Sequence, residues 1–263
     1  MTCIRLRGSW IVDRCLRFTK LLCAVGSWLS LQAAAWAANS AGVRVWLPES
    51  VTTTAPAIDR LFYIILWITG IAFFLVQGAL LLFLVRYRRR PGVRAGYTHG
   101  NNLVEVVWTV IPALILVWLT VQSQQVWARV RGTPPPPDLE IEVMGEQFAW
   151  NIRYAGADGL LNTPDDITTI NQLHLPVNQT VLIHIKSKDV IHSFFVPQFR
   201  MKQDAVPGIT THLWVSATKT GDFEIACAEL CGLGHYRMRG FLKIEPAAEF
   251  HAWLAQTLAE QTS

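Results

Sequence analysis

Long apolar segments dominate the first half of the chain, and short alternating runs replace them in the second half. The apolar segments are residues 21–36, residues 61–85 without a charge, and residues 103–121 with one charge, Glu105. The second and third are long enough to cross a bilayer as helices. The pattern therefore predicts a transmembrane hairpin over residues 61–121, embedded in lipid.

The first apolar segment is typical of a signal peptide, residues 1–37. It follows a basic stretch, is shorter than the ~20 residues that a span needs, and ends in Ala35-Trp36-Ala37, which fits a cleavage site. An uncleaved membrane anchor is the alternative. Cleavage leaves residues 38–60 as an external segment before the first span.

The charges are sorted by region. The chain has a net charge of +4, but the loop 86–102 between the two spans holds five arginines and no acid. Such a loop stays in the cytoplasm, so both ends of the mature chain are predicted outside. Residues 138–245 carry 13 acidic and 9 basic residues. A nucleic-acid partner is excluded, because it would need a basic folded domain.

Glu105 has two interpretations. Asn102 lies three residues before it, the spacing of a capping box at a helix start. An ionisable side chain inside a span is otherwise a functional candidate. The topology puts Glu105 near the cytoplasmic face, where protons enter.

A stiff spacer separates the hairpin from an external domain. Residues 122–137 are predicted to continue the helix through Val130 and then to form a linker with four consecutive prolines. The spacing of short β-rich runs in 138–245 predicts an all-β sandwich, and residues 246–263 a terminal helix and tail. The predicted strands are Leu139–Val143, Phe148–Tyr154, Thr180–Ile185, Val190–Val196, Thr211–Ser216, Asp222–Ala226 and Phe241–Ile244, with a helix over Ala247–Gln261.

A polar insertion at residues 157–166 interrupts the strands. Asp158, Asp165 and Asp166 offer oxygen ligands, but the ligand spacing of a calcium loop is not reproduced. A solvated loop is the preferred interpretation.

The richest chemistry lies between Cys227 and Met238. This stretch also contains Cys231 and His235, and His192 adds an imidazole at a predicted strand edge. Thiolates, imidazoles and a thioether together favour copper. Two thiolates in one loop can bridge two copper ions, each with one histidine and one weaker ligand.

Two other structures compete for these cysteines. A disulfide fits an oxidising compartment, and zinc accepts Cys₂His₂ but has no use for methionine. The flanking histidines and methionine favour copper over both. No C-x-x-C-H occurs, so no c-type haem is expected in this chain.

These features resemble subunit II of haem-copper cytochrome c oxidases, which carries a CuA centre. The matching runs are Asp189–Pro197, Lys202–Gly208, Cys227–Met238 and, in the second span, Val107–Ala113. The resemblance implies that the external domain is a cupredoxin-like Greek-key sandwich. It also implies that the hairpin lies in a bacterial cell membrane, with this domain on the periplasmic side. It implies copper ligation by the side chains of His192, Cys227, Cys231, His235 and Met238 and by the backbone carbonyl of Glu229.

The resemblance also implies partners and a pathway. Electrons arrive from cytochrome c, pass through CuA and leave to haem in subunit I, where oxygen is reduced to water and protons are translocated. The Glu229 side chain reaches a Mg²⁺ site shared with subunit I, Glu105 matches an acid at the mouth of a proton path, and subunit III is a further neighbour.

One departure concerns the point at which electrons enter. The family pattern G-x-Q-W-x-W stands here as Gly145-Glu146-Gln147-Phe148-Ala149-Trp150. Electrons therefore pass Phe148, or Trp150, or come from another donor. The acidic domain suits a basic cytochrome c, because opposite charges accelerate docking.

Three alternative functions are weighed. A haem-copper nitric oxide reductase uses the same kind of CuA subunit, and subunit I decides between the two reactions. A quinol oxidase subunit II lacks copper, which the retained cysteines and histidines oppose. A membrane-tethered copper carrier needs an exposed, releasable metal, whereas this loop supplies enough ligands to close a two-copper site.

Overall fold

Two apolar helices lead into a β-sandwich and a C-terminal helix, as predicted. The computed structural model describes residues 46–94, 96–97 and 99–262, so the predicted signal peptide 1–37 lies outside the described residues. Both apolar helices are long and apolar enough to cross a membrane.

Helix α1 spans Ala55–Arg86 and begins six residues before the apolar pattern. The hydroxyl of Thr52 accepts a hydrogen bond from the amide of Ala55 at 3.2 Å. Pro56 lies in the first turn, where its fixed φ suits a helix and its missing N–H costs nothing. The apolar run therefore marks the membrane part of the helix, and the helix itself starts in the external segment.

Helix α2 spans Asn102–Arg131 and continues well past its apolar part. Its N-cap is Asn101, whose side chain accepts hydrogen bonds from the amides of Leu103 and Val104. The capping box expected from Asn102 is therefore wrong. Glu105 is the fourth helical residue, and its side chain is exposed.

The external domain consists of two five-stranded sheets. Strand order is β3-β2-β1-β5-β8 in the first sheet and β4-β10-β9-β6-β7 in the second. β1 pairs with β5, and β4 with β10, in parallel; the other pairs are antiparallel. The strands are β1 (Leu139–Glu146), β2 (Ala149–Tyr154), β3 (Ile167–Ile170), β4 (Gln172–Pro176), β5 (Thr180–Ser187), β6 (His192–Val196), β7 (Met201–Ala205), β8 (Thr211–Ser216), β9 (Gly221–Cys227) and β10 (Arg239–Glu245).

Strands β3, β4 and β7 were not predicted from the sequence. β3 has only four residues, and a single residue, Asn171 with φ 58°, separates it from β4. β7 reads Met-Lys-Gln-Asp-Ala and lies at the edge of its sheet. Short or polar edge strands carry too little alternation to stand out.

The core lies between the two sheets. Burial alternates along β5 and β10, with Ile183 and Ile244 inside, as a half-buried strand requires. Trp150 and Phe194 fill the centre with an edge-to-face contact at 5.6 Å. Helix α3 (Ala247–Thr262) covers one side of the sandwich, where the buried Phe250 packs into the core.

The insertion of residues 157–166 is a loop held by its own hydrogen bonds. Asp158 accepts from the amide of Leu160 at 2.8 Å. Asp166 accepts from the amides of Asn162 at 2.6 Å and Thr163 at 3.2 Å. The acids therefore serve the turn geometry of the loop.

Candidate metal centre

A loop and a strand edge meet at one end of the sandwich. The loop, residues Cys227–Met238, connects β9 to β10 and is called the cysteine loop below. Its base is closed by a hydrogen bond from the amide of Cys227 to the carbonyl of Met238 at 3.2 Å. The amide of Ala228 bonds to the carbonyl of Ser193 at 2.9 Å. These bonds hold the loop against β6, which begins at His192.

The six donor atoms expected from the sequence converge there. The two thiol sulfurs of Cys227 and Cys231 lie 3.8 Å apart. Cys227 Sγ is 4.0 Å from His192 Nδ1 and 3.2 Å from the carbonyl oxygen of Glu229. Cys231 Sγ is 3.7 Å from both His235 Nδ1 and Met238 Sδ. Each sulfur therefore has one imidazole and one weaker donor beside it.

One part of the donor set is buried in the protein, and the other part is partly exposed to solvent. His192, Cys231 and Met238 are at most 3% exposed, whereas Cys227 and His235 are half-buried. Burial and the neighbouring Cys227 raise the pKa of Cys231 to about 11. Metal binding must therefore displace its thiol proton.

The geometry and chemistry of these residues favour a copper site over a disulfide bond or a zinc site. Both cysteines are free, and their separation is far above the ~2.05 Å of a disulfide bond. His192, Cys227 and Cys231 have ligand atoms within 4.8 Å of one another. Two thiols, two imidazoles and a thioether form a soft donor set, which copper prefers.

Two residues without a predicted role orient these ligands. His192 Nε2 lies 2.8 Å from the carboxylate of Asp189, which also accepts from the backbone amide of Gln147 at 2.7 Å. The Gln147 side chain donates to the carbonyl of Cys231 at 2.5 Å. Burial raises the pKa of Asp189, but the hydrogen bonds from His192 and Gln147 outweigh it and leave that pKa below its ordinary value. This network connects the two sides of the site.

The aromatic residues at the site differ in exposure. Trp150 is fully buried, with its ring centroid 6.0 Å from that of His192, so a docking protein cannot touch it. Phe148 lies in the turn between β1 and β2 and is half-buried. A Cβ added to Gly234 would lie 2.5 Å from the Phe148 ring. The absence of a side chain at Gly234 thus lets the ring pack on the loop.

The outer surface of the cysteine loop is apolar. Leu230, Leu233 and Tyr236 are 77%, 97% and 84% exposed. The Glu229 side chain is also exposed beside them. Large exposed apolar side chains gathered on one loop are typical of an interaction surface.

Glu105 lies far from these residues. It is in the first turn of α2, and the domain follows the other end of that helix. A helix of this length measures about 45 Å. Glu105 therefore takes no part in the metal centre.

Comparison with known proteins identifies the family. Residues 38–126 match the family described as Cytochrome C oxidase subunit II, transmembrane domain, and residues 139–244 match the periplasmic domain of the same subunit. Cytochrome c oxidase subunit 2 of Thermostichus vulcanus is 33% identical over 271 residues, covering 82% of this chain and 80% of its own length. The chain belongs to the cytochrome c oxidase subunit II family.

This subunit II is also similar to two subunit II proteins of Bradyrhizobium. Alternative cytochrome c oxidase subunit 2 of Bradyrhizobium diazoefficiens is 34% identical and covers 80% of this chain and 83% of its own length. The periplasmic domain of subunit II, CoxB, of Bradyrhizobium japonicum has a crystal structure that is 28% identical, with a TM-score of 0.44. It covers 49% of this chain and 99% of that chain.

Family membership settles the broad role. The chain is a subunit of a cytochrome c oxidase complex, which implies a subunit I. It is a membrane protein with two apolar helices and a cupredoxin-like outer domain. The family and the His192, Cys227 and Cys231 group together point to a copper site.

Proposed function

We propose that this chain is the electron-accepting subunit of a terminal respiratory oxidase. It receives electrons from cytochrome c at a binuclear CuA centre and passes them to haem in subunit I. Oxygen is reduced there to water, with proton translocation. The observation that carries the proposal is the convergence of two free thiols, two imidazoles, a thioether and a carbonyl on one point.

When bound by these residues, a two-copper centre supplies one-electron transfer. The chain contributes a rigid donor set, because the cysteine loop is closed at its base and the network through Gln147 and Asp189 fixes both sides. Ligands that stay in place on oxidation and reduction keep the rearrangement small. The burial of His192, Cys231 and Met238 argues against a copper carrier, because a carrier needs an exposed ion that it can release.

The electron donor docks on the apolar surface of Leu230, Leu233 and Tyr236. Phe148 packs on the cysteine loop from the β1–β2 turn and is partly exposed, whereas Trp150 is buried, so electrons pass Phe148 rather than Trp150. The excess of acidic over basic residues in 138–245 favours a basic cytochrome c.

Family membership supports the remaining assignments of this proposal. The exposed Glu229 side chain faces subunit I and holds Mg²⁺ with it, and Glu105 opens a proton path at the cytoplasmic end of α2. The hairpin lies in the bacterial cell membrane beside subunits I and III, with the copper domain in the periplasm after removal of residues 1–37.

The test uses the full chain, loaded with copper in detergent, and electron paramagnetic resonance. We expect a hyperfine pattern from two equivalent copper nuclei; the pattern of a single nucleus contradicts the binuclear centre. In the purified complex, reduced cytochrome c should drive oxygen uptake. Turnover of nitric oxide without oxygen uptake would assign the complex to the nitric oxide reductases instead.

Phe148→Trp tests the path of the electrons. The substitution should change the rate of reduction by cytochrome c while the copper spectrum stays the same. An unchanged rate would remove Phe148 from the path. Phe241→Trp is a matched control, because Phe241 is an exposed aromatic residue on β10.

A further inference from the structure

The outer ends of both membrane helices are bound by one hairpin of the sandwich. This hairpin, β6–β7, runs from His192 to Ala205. It contacts α1 through Arg200 and α2 through Lys202 and Gln203. The same hairpin carries the buried imidazole of the metal centre at its first residue.

The contact with α1 is a two-pronged ion pair. Arg200 Nε lies 2.6 Å from one carboxylate oxygen of Asp59, and its Nη2 lies 3.2 Å from the other. The Arg200 side chain is 8% exposed and that of Asp59 21%. A guanidinium that meets a carboxylate in this way fixes orientation as well as distance. Arg200 also donates to the carbonyl of Pro197 at 2.8 Å, which holds its side chain in place.

The backbone of Arg200 gives a second indication that its side chain is required. Its φ of 61° and ψ of 18° are left-handed, a conformation in which glycine is the usual residue. A glycine would satisfy the turn between Pro197–Phe199 and β7 with less strain. The guanidinium is the feature that a glycine lacks.

The contact with α2 is made by its last residue. Arg131 donates to the side-chain oxygen of Gln203 at 2.5 Å and to the carbonyl of Lys202 at 2.8 Å. Val130, beside it, is buried in the core cluster. The two helix ends are therefore fixed to adjacent positions of one hairpin, at Arg200 and at Lys202–Gln203.

We infer that Arg200, with Asp59, and Arg131, with Gln203, are positioning residues that hold the metal centre in a fixed place over the membrane helices. β6 pairs with β9 at Phe194 and Cys227, so a shift of the hairpin moves His192 and the cysteine loop together. The inference rests on the proposed function, because a fixed place matters only if electrons leave this centre for an acceptor in subunit I. Electron transfer between fixed centres falls steeply with distance.

The test is Arg200→Gly in the purified complex, since glycine keeps the left-handed turn. The copper spectrum, the copper potential and the KM for cytochrome c should stay unchanged. Electron transfer from copper to haem, measured in a single turnover, should slow severalfold, because the rate falls steeply as the distance between the two centres increases. Asp59→Arg combined with Arg200→Asp should restore most of the rate, because aspartate also tolerates this turn.

Lys219→Ala is the matched control, because Lys219 pairs with Glu49 in an exposed ion pair on the same domain. It should leave the transfer rate unchanged. The inference is overturned if Arg200→Gly transfers electrons at the wild-type rate, if its copper potential shifts with the rate, or if the charge swap restores nothing. If Arg200→Gly fails to assemble, Asp59→Asn is measured in the same way and judged by the same criteria.

Amide exchange separates this inference from the proposed function. In the copper-free full chain, Arg200→Gly should speed exchange severalfold in the first turns of α1, residues 55–62, because its anchor is lost. A wild-type complex without copper-to-haem transfer would refute the proposed function but leave this result standing. Unchanged exchange would refute the anchor whatever the complex does.

Discussion

Two loops of the sandwich offer metal-binding side chains, and only the cysteine loop, with His192, places ligand atoms within 4.8 Å of one another. The cysteine loop directs its thiols, imidazole and thioether at one point, with His192 from β6 opposite. In the insertion loop, the carboxylates of Asp158, Asp165 and Asp166 accept hydrogen bonds from the loop itself. Ligand content alone therefore does not make a site.

The difference lies in what the ligand side chains of each loop are bonded to. The cysteine loop is held from outside, by the Cys227–Met238 and Ala228–Ser193 backbone bonds and by the Gln147 side chain. Its side chains are free to serve another partner. The insertion loop is also tied to its sheet, because Arg153 of β2 donates to the Asn162 side chain at 2.8 Å and lies 3.5 Å from the Asp166 carboxylate. Its acids, however, accept hydrogen bonds from the loop's own amides and from the Thr163 hydroxyl, so they stabilise its own turns. The one group of described residues close enough to hold a metal is His192, Cys227 and Cys231.

Among the variants proposed here, Cys231→Ser should have the largest effect on the metal centre. Serine removes one soft bridging ligand from the buried side of the site, and a hydroxyl is a poor ligand for copper. We expect complete loss of the two-nucleus copper pattern in electron paramagnetic resonance of the full chain. Asp166→Asn in the insertion loop should leave that pattern intact. A two-nucleus pattern in the Cys231→Ser chain would contradict the donor set proposed here.

Gly234→Ala tests whether the cysteine loop is held by packing. Its new Cβ would meet the Phe148 ring at 2.5 Å, so ring or loop must move, which costs about 1–3 kcal/mol as other overpacked sites do. Denaturant unfolding of the copper-free full chain measures this loss. Gly159→Asn in the insertion loop is the control, because Gly159 has φ 69° with open space around it and asparagine tolerates that φ. Equal stabilities would show that Phe148 does not brace the loop.

The sequence predicted the donor set because most of it is local. Cys227, Cys231, His235 and Met238 lie within one loop, and their residue types alone select a soft metal. The supports of the site were not predicted, since they join residues far apart in the chain. Gln147 is 84 positions from Cys231 and Asp59 is 141 from Arg200. No periodic pattern reports such pairs.

The fold, like the site, could be predicted only where a local sequence pattern reports it. Strands with clear alternation, such as β5 and β10, were predicted, whereas the edge strand β7 has no alternating pattern and was missed. The first turns of α1 were not predicted, because hydropathy reports the membrane part of a helix and not its first turns. Burial of Trp150 depends on how the two sheets pack, which composition does not reveal.

Asp166→Ala tests whether the acids of the insertion loop stabilise the loop itself. Its carboxylate accepts from the amides of Asn162 and Thr163 and lies 3.5 Å from the Arg153 guanidinium, and its side chain is only 4% exposed. We expect a loss of about 1.5 kcal/mol in unfolding free energy, the lower end of the range for hydrogen bonds to a charged group. The copper pattern should not change. Added Ca²⁺ should not raise the stability of the wild-type chain; stabilisation that Asp166→Ala abolishes would make the insertion loop a cation site after all.

Acidification tests the smallest of these effects, the contribution of Asp165 in the insertion loop. The Thr163 hydroxyl and the Asp158 backbone amide hold the pKa of Asp165 below its ordinary value, which is about 3.9. A lowered folded pKa stabilises the protein above the ordinary value, and this stability is lost as the pH falls through the lowered one. The Tm of the wild-type chain should therefore exceed that of Asp165→Asn near neutral pH, and the gap should close with acidification below about pH 4. A gap that stays constant with pH would mean that the charge of Asp165 does not hold the loop.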